Sequence, residues 1–205
     1  MKKILFAAIP VAAVAILFAK PVIDPLPIGS AIPKAEVKMK DISGKEVSLK
    51  ETQKKNGLLV MFSCNTCPYV IKNQTRTLQA AKYAGGNDIG VAILNSNEGQ
   101  RSGDDSYESM KEYAKGQGYE AYNSYYLVDN NSQMADAFGA NRTPECFLFD
   151  KNGKLVYHGA IDDNPNDANS VSRKHLQAAI DDIVAGREVS VKESRSVGCT
   201  IKRVK

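Results

Sequence analysis

Apolar residues fall along this chain in short unbroken runs separated by amphipathic stretches. Leu58-Leu59-Val60-Met61-Phe62 and Ile89 to Leu94 are continuous enough to be strands buried on both faces, and Tyr125 to Val128 is a third such run. Tyr69 to Tyr83 suits a helix with Val70, Ile71, Leu78, Ala81 and Ala84 available for an inner face, stopped by Gly85-Gly86. Asp105 to Gly116 and Gln133 to Phe138 also carry helical spacing, the second closed by Gly139. Cys146–Phe149 and Leu155–His158 flank Asp150-Lys151-Asn152-Gly153, a strong hairpin signal, and Val171–Ala185 predicts a last helix before a polar tail. Upstream, alternation over Ala35–Met39, a Ser43-Gly44-Lys45 turn, then Val47 and Leu49 predict a small N-terminal β-hairpin. Strands alternating with helices and ending in a hairpin give an α/β fold with a central mixed β-sheet flanked by helices.

The first residues follow a different pattern. Lys2 and Lys3 precede an apolar run from Ile4 to Ala19 broken only by Pro10, which is the layout of a secretory signal peptide. Small residues allow cleavage after Ala15 or after Ala19, and residues 4–19 retained would act as a membrane anchor. Both readings of residues 1–19 place the remainder outside the cytoplasm, in the periplasm or anchored and facing outward. No cysteine follows the run closely enough for a lipid-modified N-terminus. Pro21, Pro25, Pro27 and Pro33 make residues 20–34 an extended spacer, so the folded domain is expected over 35–205.

Composition narrows the function. With 43% hydrophobic and 24% charged residues the chain can bury one sizeable core. The net charge of +4 is small and its basic residues are scattered, which argues against a nucleic-acid surface.

Cys64-Asn65-Thr66-Cys67 lies between a buried strand and the start of a helix. Two intervening residues bring both sulfurs within bonding reach, and a helix N-terminus stabilises a thiolate. Cys64 is therefore read as an exposed nucleophile at the helix start and Cys67 as the resolving thiol. A zinc site would need two further ligands at matching spacing, and Cys146, Cys199, His158 and His175 form no second close pair. A structural disulfide between such near neighbours would constrain little chain entropy. Thr143-Pro144, just before a strand, is a candidate cis-proline whose preceding backbone can pair with an extended thiol substrate, so both residues are candidate substrate-binding positions.

Residues Val60–Val70, Arg142–Asp150, Tyr157–Asn164 and Gly198–Lys202 together resemble the thioredoxin-like superfamily, in its redoxin branch related to the AhpC/TSA peroxiredoxins. The similarity spans about residues 28–202. It implies a thioredoxin-like fold, a Cys64–Cys67 redox pair packed against cis-Pro144, and thiol–disulfide oxidoreductase activity. Implied partners are protein or small-molecule thiols and disulfides and a redox partner protein; no cofactor or metal is implied. Peroxiredoxins carry a threonine three residues before the peroxidatic cysteine, and here Cys64 holds that place relative to Cys67. Arg142 stands where it could imitate their peroxide-polarising arginine. Thiol-dependent peroxide reduction is thus the second reading, and a Cys-based metal-carrying module the third.

Cys146 reads as a small buried hydrophobe. Cys199, in the polar tail, is a candidate third redox thiol, exchanging with Cys64–Cys67 or bridging to Cys146. His158 and His175 read as ordinary surface or satisfied residues, and Asp162, Asp163, Asn164 and Asp167 as a solvated turn without calcium-loop spacing. Glu145 is a candidate for proton transfer near the disulfide.

Overall fold

The computed structural model describes residues 24–119 and 124–204. The reading of residues 1–19 as signal or anchor therefore lies outside the described residues, among which no helix is long and apolar enough to cross a membrane.

A five-stranded sheet forms the centre, its strands lying side by side in the order Tyr125–Val128, Ile89–Asn95, Gly57–Ser63, Glu145–Phe149, Leu155–Gly159. Its strands are β3 (Gly57–Ser63), β4 (Ile89–Asn95), β5 (Tyr125–Val128), β7 (Glu145–Phe149) and β8 (Leu155–Gly159). β3, β4 and β5 are parallel neighbours, whereas β7 runs antiparallel to both β3 and β8. The mixed sheet is the one expected from the final hairpin.

Alternation along β3 sorts its side chains to two buried faces. Leu59 and Met61 join Ala81 and Ala84 of α2 (Pro68–Gly86), Met110 and Ala114 of α3 (Tyr107–Gln117), and Leu176 and Ile180 of α5 (His175–Val184). Leu58, Val60 and Phe62 join Leu49 of α1 (Leu49–Thr52) and Met134, Ala135 and Phe138 of α4 (Gln133–Phe138). Double-sided burial is why these strands read as continuous apolar runs. α2 ends at Gly86, within the Gly85-Gly86 pair expected to stop it and three residues beyond Tyr83, with Asn87 as its C-cap.

Three expectations are corrected. The N-terminal hairpin is short, β1 (Met39–Lys40) with β2 (Glu46–Val47), and Leu49 starts a helix instead of continuing a strand. The reason is local: the Ser48 hydroxyl accepts from the Glu51 N–H while the Glu51 carboxylate accepts from the Ser48 N–H at 2.9 Å, a capping box.

Nor is the proline-rich segment a free spacer over 24–34. The Leu26 N–H donates to the Phe138 carbonyl (2.9 Å), Gly29 N–H to Leu155 (2.8 Å) and Leu155 N–H to Ser30 (2.8 Å). Gly139, which ends α4 with φ +65°, makes room for this segment, since a Cβ there would lie 1.8 Å from the Asp24 carbonyl oxygen. The packed domain thus begins about ten residues before Ala35.

The polar tail also packs. From Val189 it runs beside β8, with His158 N–H donating to Lys192 O (2.9 Å) and Ser194 N–H to His158 O (3.0 Å). It then forms β9 (Cys199–Thr200) against β6 (Arg142–Thr143), buries Ile201, and ends with the Gly99 N–H donating to Lys202 O (2.7 Å).

Candidate functional site

The parallel strands β3, β4 and β5 all end on the same side of the sheet, and the site is built there from the loops that follow β3 and β4, with Tyr126 of β5, Thr143 of β6 and Cys199 of β9. β3 delivers Cys64-Asn65-Thr66-Cys67. Cys67 occupies the N-cap position of α2, with extended backbone (φ −66°, ψ 123°) and Pro68 as the first helical residue. Proline suits this position because its missing N–H would have no intrahelical partner there.

The positions of the two cysteines differ from those expected. Cys64 and Cys67 are both buried, 1% and 3% exposed, so the exposed thiol expected at Cys64 is not found, and Cys64 is not the residue at the helix terminus. Cys67 holds that position and forms a disulfide with Cys199, 132 residues away, with the two Cα atoms 5.9 Å apart. Cys64 is a free thiol beside this bond. Cys146 is also free: it points into the core opposite Met61 and takes no part in a bridge to Cys199. Burial pushes the Cys146 thiol far up, consistent with a small core hydrophobe.

Thr143 touches both sulfurs of the pair. Its hydroxyl lies 3.6 Å from Cys64 Sγ, and its carbonyl oxygen 3.2 Å from Cys67 Sγ. The Thr143–Pro144 peptide bond is cis. The backbone of Thr143 faces Cys199 across the β6–β9 pair, so the edge expected to receive a substrate is covered by this chain's own tail.

Burial pushes the Cys64 thiol above its ordinary range; the Thr143 hydroxyl opposes that rise, the Asp105 carboxylate adds to it, and the amides of Cys67 and Thr66 oppose it. Asp105 is fully buried below the loop. It accepts from the Asn65 N–H (2.8 Å), Asn95 Nδ2 (2.7 Å) and Asn97 Nδ2 (2.9 Å). The Tyr126 hydroxyl donates to Asn65 Oδ1 at 2.8 Å, and Asn65 Nδ2 donates to Asp104 O at 2.8 Å. Tyr113 and Tyr119 pack edge to face, as do Tyr119 and Tyr126. Burial drives the Tyr119 phenol up to about 12 and Tyr126 well above its usual value, so both stay neutral. Sequence reading missed this polar network. Its signal was Asn95-Ser96-Asn97, a polar triplet closing an apolar strand where parallel sheets place their sites.

Glu145 and His158 form a second buried constellation. Glu145 Oε1 lies 2.9 Å from His158 Nε2, while Oε2 accepts the N–H groups of Asn141 (2.8 Å) and Arg142 (3.0 Å). The carboxylate is fully engaged in holding β6, not directed at the sulfurs. His158 is satisfied, stacked 4.5 Å from the Phe147 ring. His175 opens α5, its Nδ1 buried without a partner. The acidic turn is partly a correction. Asp163 and Asp167 accept local backbone N–H groups, but Asp162 is buried and accepts Arg76 NH1 at 2.7 Å. Arg142 is exposed, its guanidinium 3.5 Å from the Gly198 carbonyl. Among the described residues no group of three or more His, Cys, Asp or Glu side chains is arranged to hold a metal ion.

Comparison with solved structures places this geometry among relatives. A conserved protein of Geobacillus kaustophilus, described as uncharacterized, is 32% identical, with a TM-score of 0.79 over 87% of this chain and 93% of its own. A hypothetical protein of Sinorhizobium meliloti is 31% identical, also at a TM-score of 0.79, over 88% and 97% of the two chains. The thioredoxin domain of a thiol-disulfide oxidoreductase from Bacteroides vulgatus shares the fold at 18% identity, with a TM-score of 0.52 over 65% and 88%. Comparison with curated protein sequences gives no match. The Redoxin family model matches residues 27–174, which includes both cysteines of the C-x-x-C and the cis-proline but stops short of the tail that carries Cys199. With that match over most of its length, the chain belongs to the Redoxin family and is a thioredoxin-like redox protein.

Proposed function

We propose that the chain is an extracytoplasmic thiol–disulfide oxidoreductase in which Cys67 is the exchanging sulfur, Cys64 resolves it, and Cys199 is a third redox thiol. The observation that carries this is the placement of Cys67 at the start of α2, bonded to Cys199, with the Cys64 thiol beside it and both pair sulfurs against Thr143. An N-terminal helix position favours a thiolate through the dipole and its unpaired N–H groups. Export is supported by Lys2, Lys3 and the apolar run that follows them.

In the reduced protein the Cys67 thiolate attacks a substrate disulfide, forming a mixed disulfide and releasing one substrate thiolate. The Cys64 thiolate then attacks Cys67 Sγ, forming Cys64–Cys67 and releasing the second. Two electrons pass to the substrate, and an external dithiol, itself oxidised to a disulfide, restores the pair; the reverse sequence oxidises substrate thiols. Internally, the Cys199 thiolate attacks Cys67 of the Cys64–Cys67 bond, giving the Cys67–Cys199 bond and a Cys64 thiolate with no net electron transfer.

Dithiol exchange is favoured over peroxide reduction because Arg142 is exposed beside Gly198. Turnover of a protein disulfide such as insulin with dithiothreitol as donor tests the reading. Cys67→Ser should abolish it, and Cys64→Ser combined with Cys199→Ser should stall as a mixed disulfide. Full turnover by Cys67→Ser would overturn the assignment, and consumption of hydrogen peroxide without insulin turnover would favour the peroxidase.

A further inference from the structure

The tail that carries Cys199 does more than supply a thiol. Its backbone lies antiparallel to β6, Cys199 facing Thr143 and Thr200 facing Arg142. The Ile201 N–H extends this pairing by donating to Asn141 O at 3.2 Å. At Gly198 the approach is so close that a Cβ would lie 2.1 Å from the Thr143 carbonyl oxygen, which no real side chain tolerates. The preceding Val197 sits with Pro144, Ile161 and Pro165 on the apolar side of a hollow whose other walls include Asn73, Asp162, His175 and Arg195. A strand laid along a sheet edge takes affinity from main-chain hydrogen bonds and specificity from alternate side-chain sites.

Resting on Cys67 as the exchanging sulfur, we propose that residues 197–201 are an internal substrate strand. They occupy the edge that an external cysteine-bearing peptide takes during turnover, and the Cys67–Cys199 bond is the mixed-disulfide arrangement held within one chain. The partner class follows from the contacts: an extended segment whose cysteine is preceded by glycine, with an apolar residue before that. Glycine is required because the residue before the cysteine passes against the Thr143 carbonyl. The tail is accordingly a redox latch. Attack of the Cys64 thiolate on Cys67 breaks the Cys67–Cys199 bond, forms Cys64–Cys67, and frees Cys199 as a thiolate. An external dithiol then reduces Cys64–Cys67, leaving the edge open to the partner.

The test uses full-length protein carrying Cys64→Ser and Cys199→Ser, so that Cys67 is the sole thiol of the site. Two peptides, Val-Gly-Cys-Thr-Ile and Val-Val-Cys-Thr-Ile, are supplied as mixed disulfides with thionitrobenzoate. The Cys67 thiolate attacks the peptide sulfur, the protein–peptide bond forms, and the coloured thionitrobenzoate anion leaves. The glycine peptide should react about tenfold faster than the valine peptide, equivalent to about 1.4 kcal/mol. Adding Gly198→Val to the protein, which prevents the tail from seating, should accelerate the glycine peptide further. Equal rates for the two peptides, with ready reaction of the small reagent dithionitrobenzoate, would overturn the internal-strand proposal while leaving Cys67 as the exchanging sulfur. Failure of the small reagent as well would overturn the assignment of Cys67 and this proposal with it.

Discussion

Cys64 Sγ lies 3.6 Å from the Thr143 hydroxyl, inside a site where the thiol is almost wholly shielded from water. The hydroxyl is a partner for the thiolate, but burial is the larger influence, so the Cys64 pKa stands above the ordinary value. A raised thiol pKa leaves the neutral form dominant at pH 7, and only the thiolate attacks.

The step in which Cys64 resolves a mixed disulfide on Cys67 should therefore speed up with pH. The expected rise is about tenfold per pH unit, continuing past the ordinary cysteine pKa of about 8.5. Stopped-flow release of a chromophoric thiol from a mixed disulfide on Cys67 in Cys199→Ser protein checks this, and a plateau below pH 7 would contradict it.

Asp105→Asn should move that profile toward acid, because the carboxylate's charge opposes ionisation of Cys64. The same change weakens the set of donors from Asn65, Asn95 and Asn97, so the fold should lose about 1–3 kcal/mol. Denaturant midpoints read the stability loss separately from the kinetic shift.

Tyr126→Phe should remove the donor to Asn65 Oδ1 and leave a buried acceptor unpaired. The expected loss is about 1–2 kcal/mol. An unchanged denaturation midpoint would show that the hydroxyl does not hold the loop between the cysteines.

Glu145→Ala should be more damaging, removing the acceptor shared by His158, Asn141 and Arg142. A loss of about 3 kcal/mol is expected. Because β6 supports β9, the Ile201 amide should exchange faster with deuterium in the variant. Global destabilisation with no change at Ile201 would separate the buried pair from the tail.

Much of this could be read from local pattern. Continuous runs such as Leu58–Phe62 gave strands because both faces of the sheet are covered, and Gly139 and the Asp150–Gly153 turn marked ends that the backbone respects. Cys64, Cys67, Thr143 and Pro144 were legible because a strand, a C-x-x-C and a pre-strand proline are each short-range signals. What escaped was long-range. Asn65, Asn95, Asn97, Asp105 and Tyr126 meet only when the loops after β3 and β4 converge beside β5, and the Cys67–Cys199 bond closes 132 residues. Composition made the tail look free, yet its main chain, which composition does not report, docks it.

Cys67 is the sulfur shared by both disulfides proposed for this site, and redox titration in glutathione buffers tests that most directly. Cys199→Ser should retain a reversible two-electron couple from Cys64–Cys67, Cys64→Ser should retain one from Cys67–Cys199, and Cys67→Ser should show none. A couple that survives in Cys67→Ser, or is missing from both other variants, would contradict the central role of Cys67.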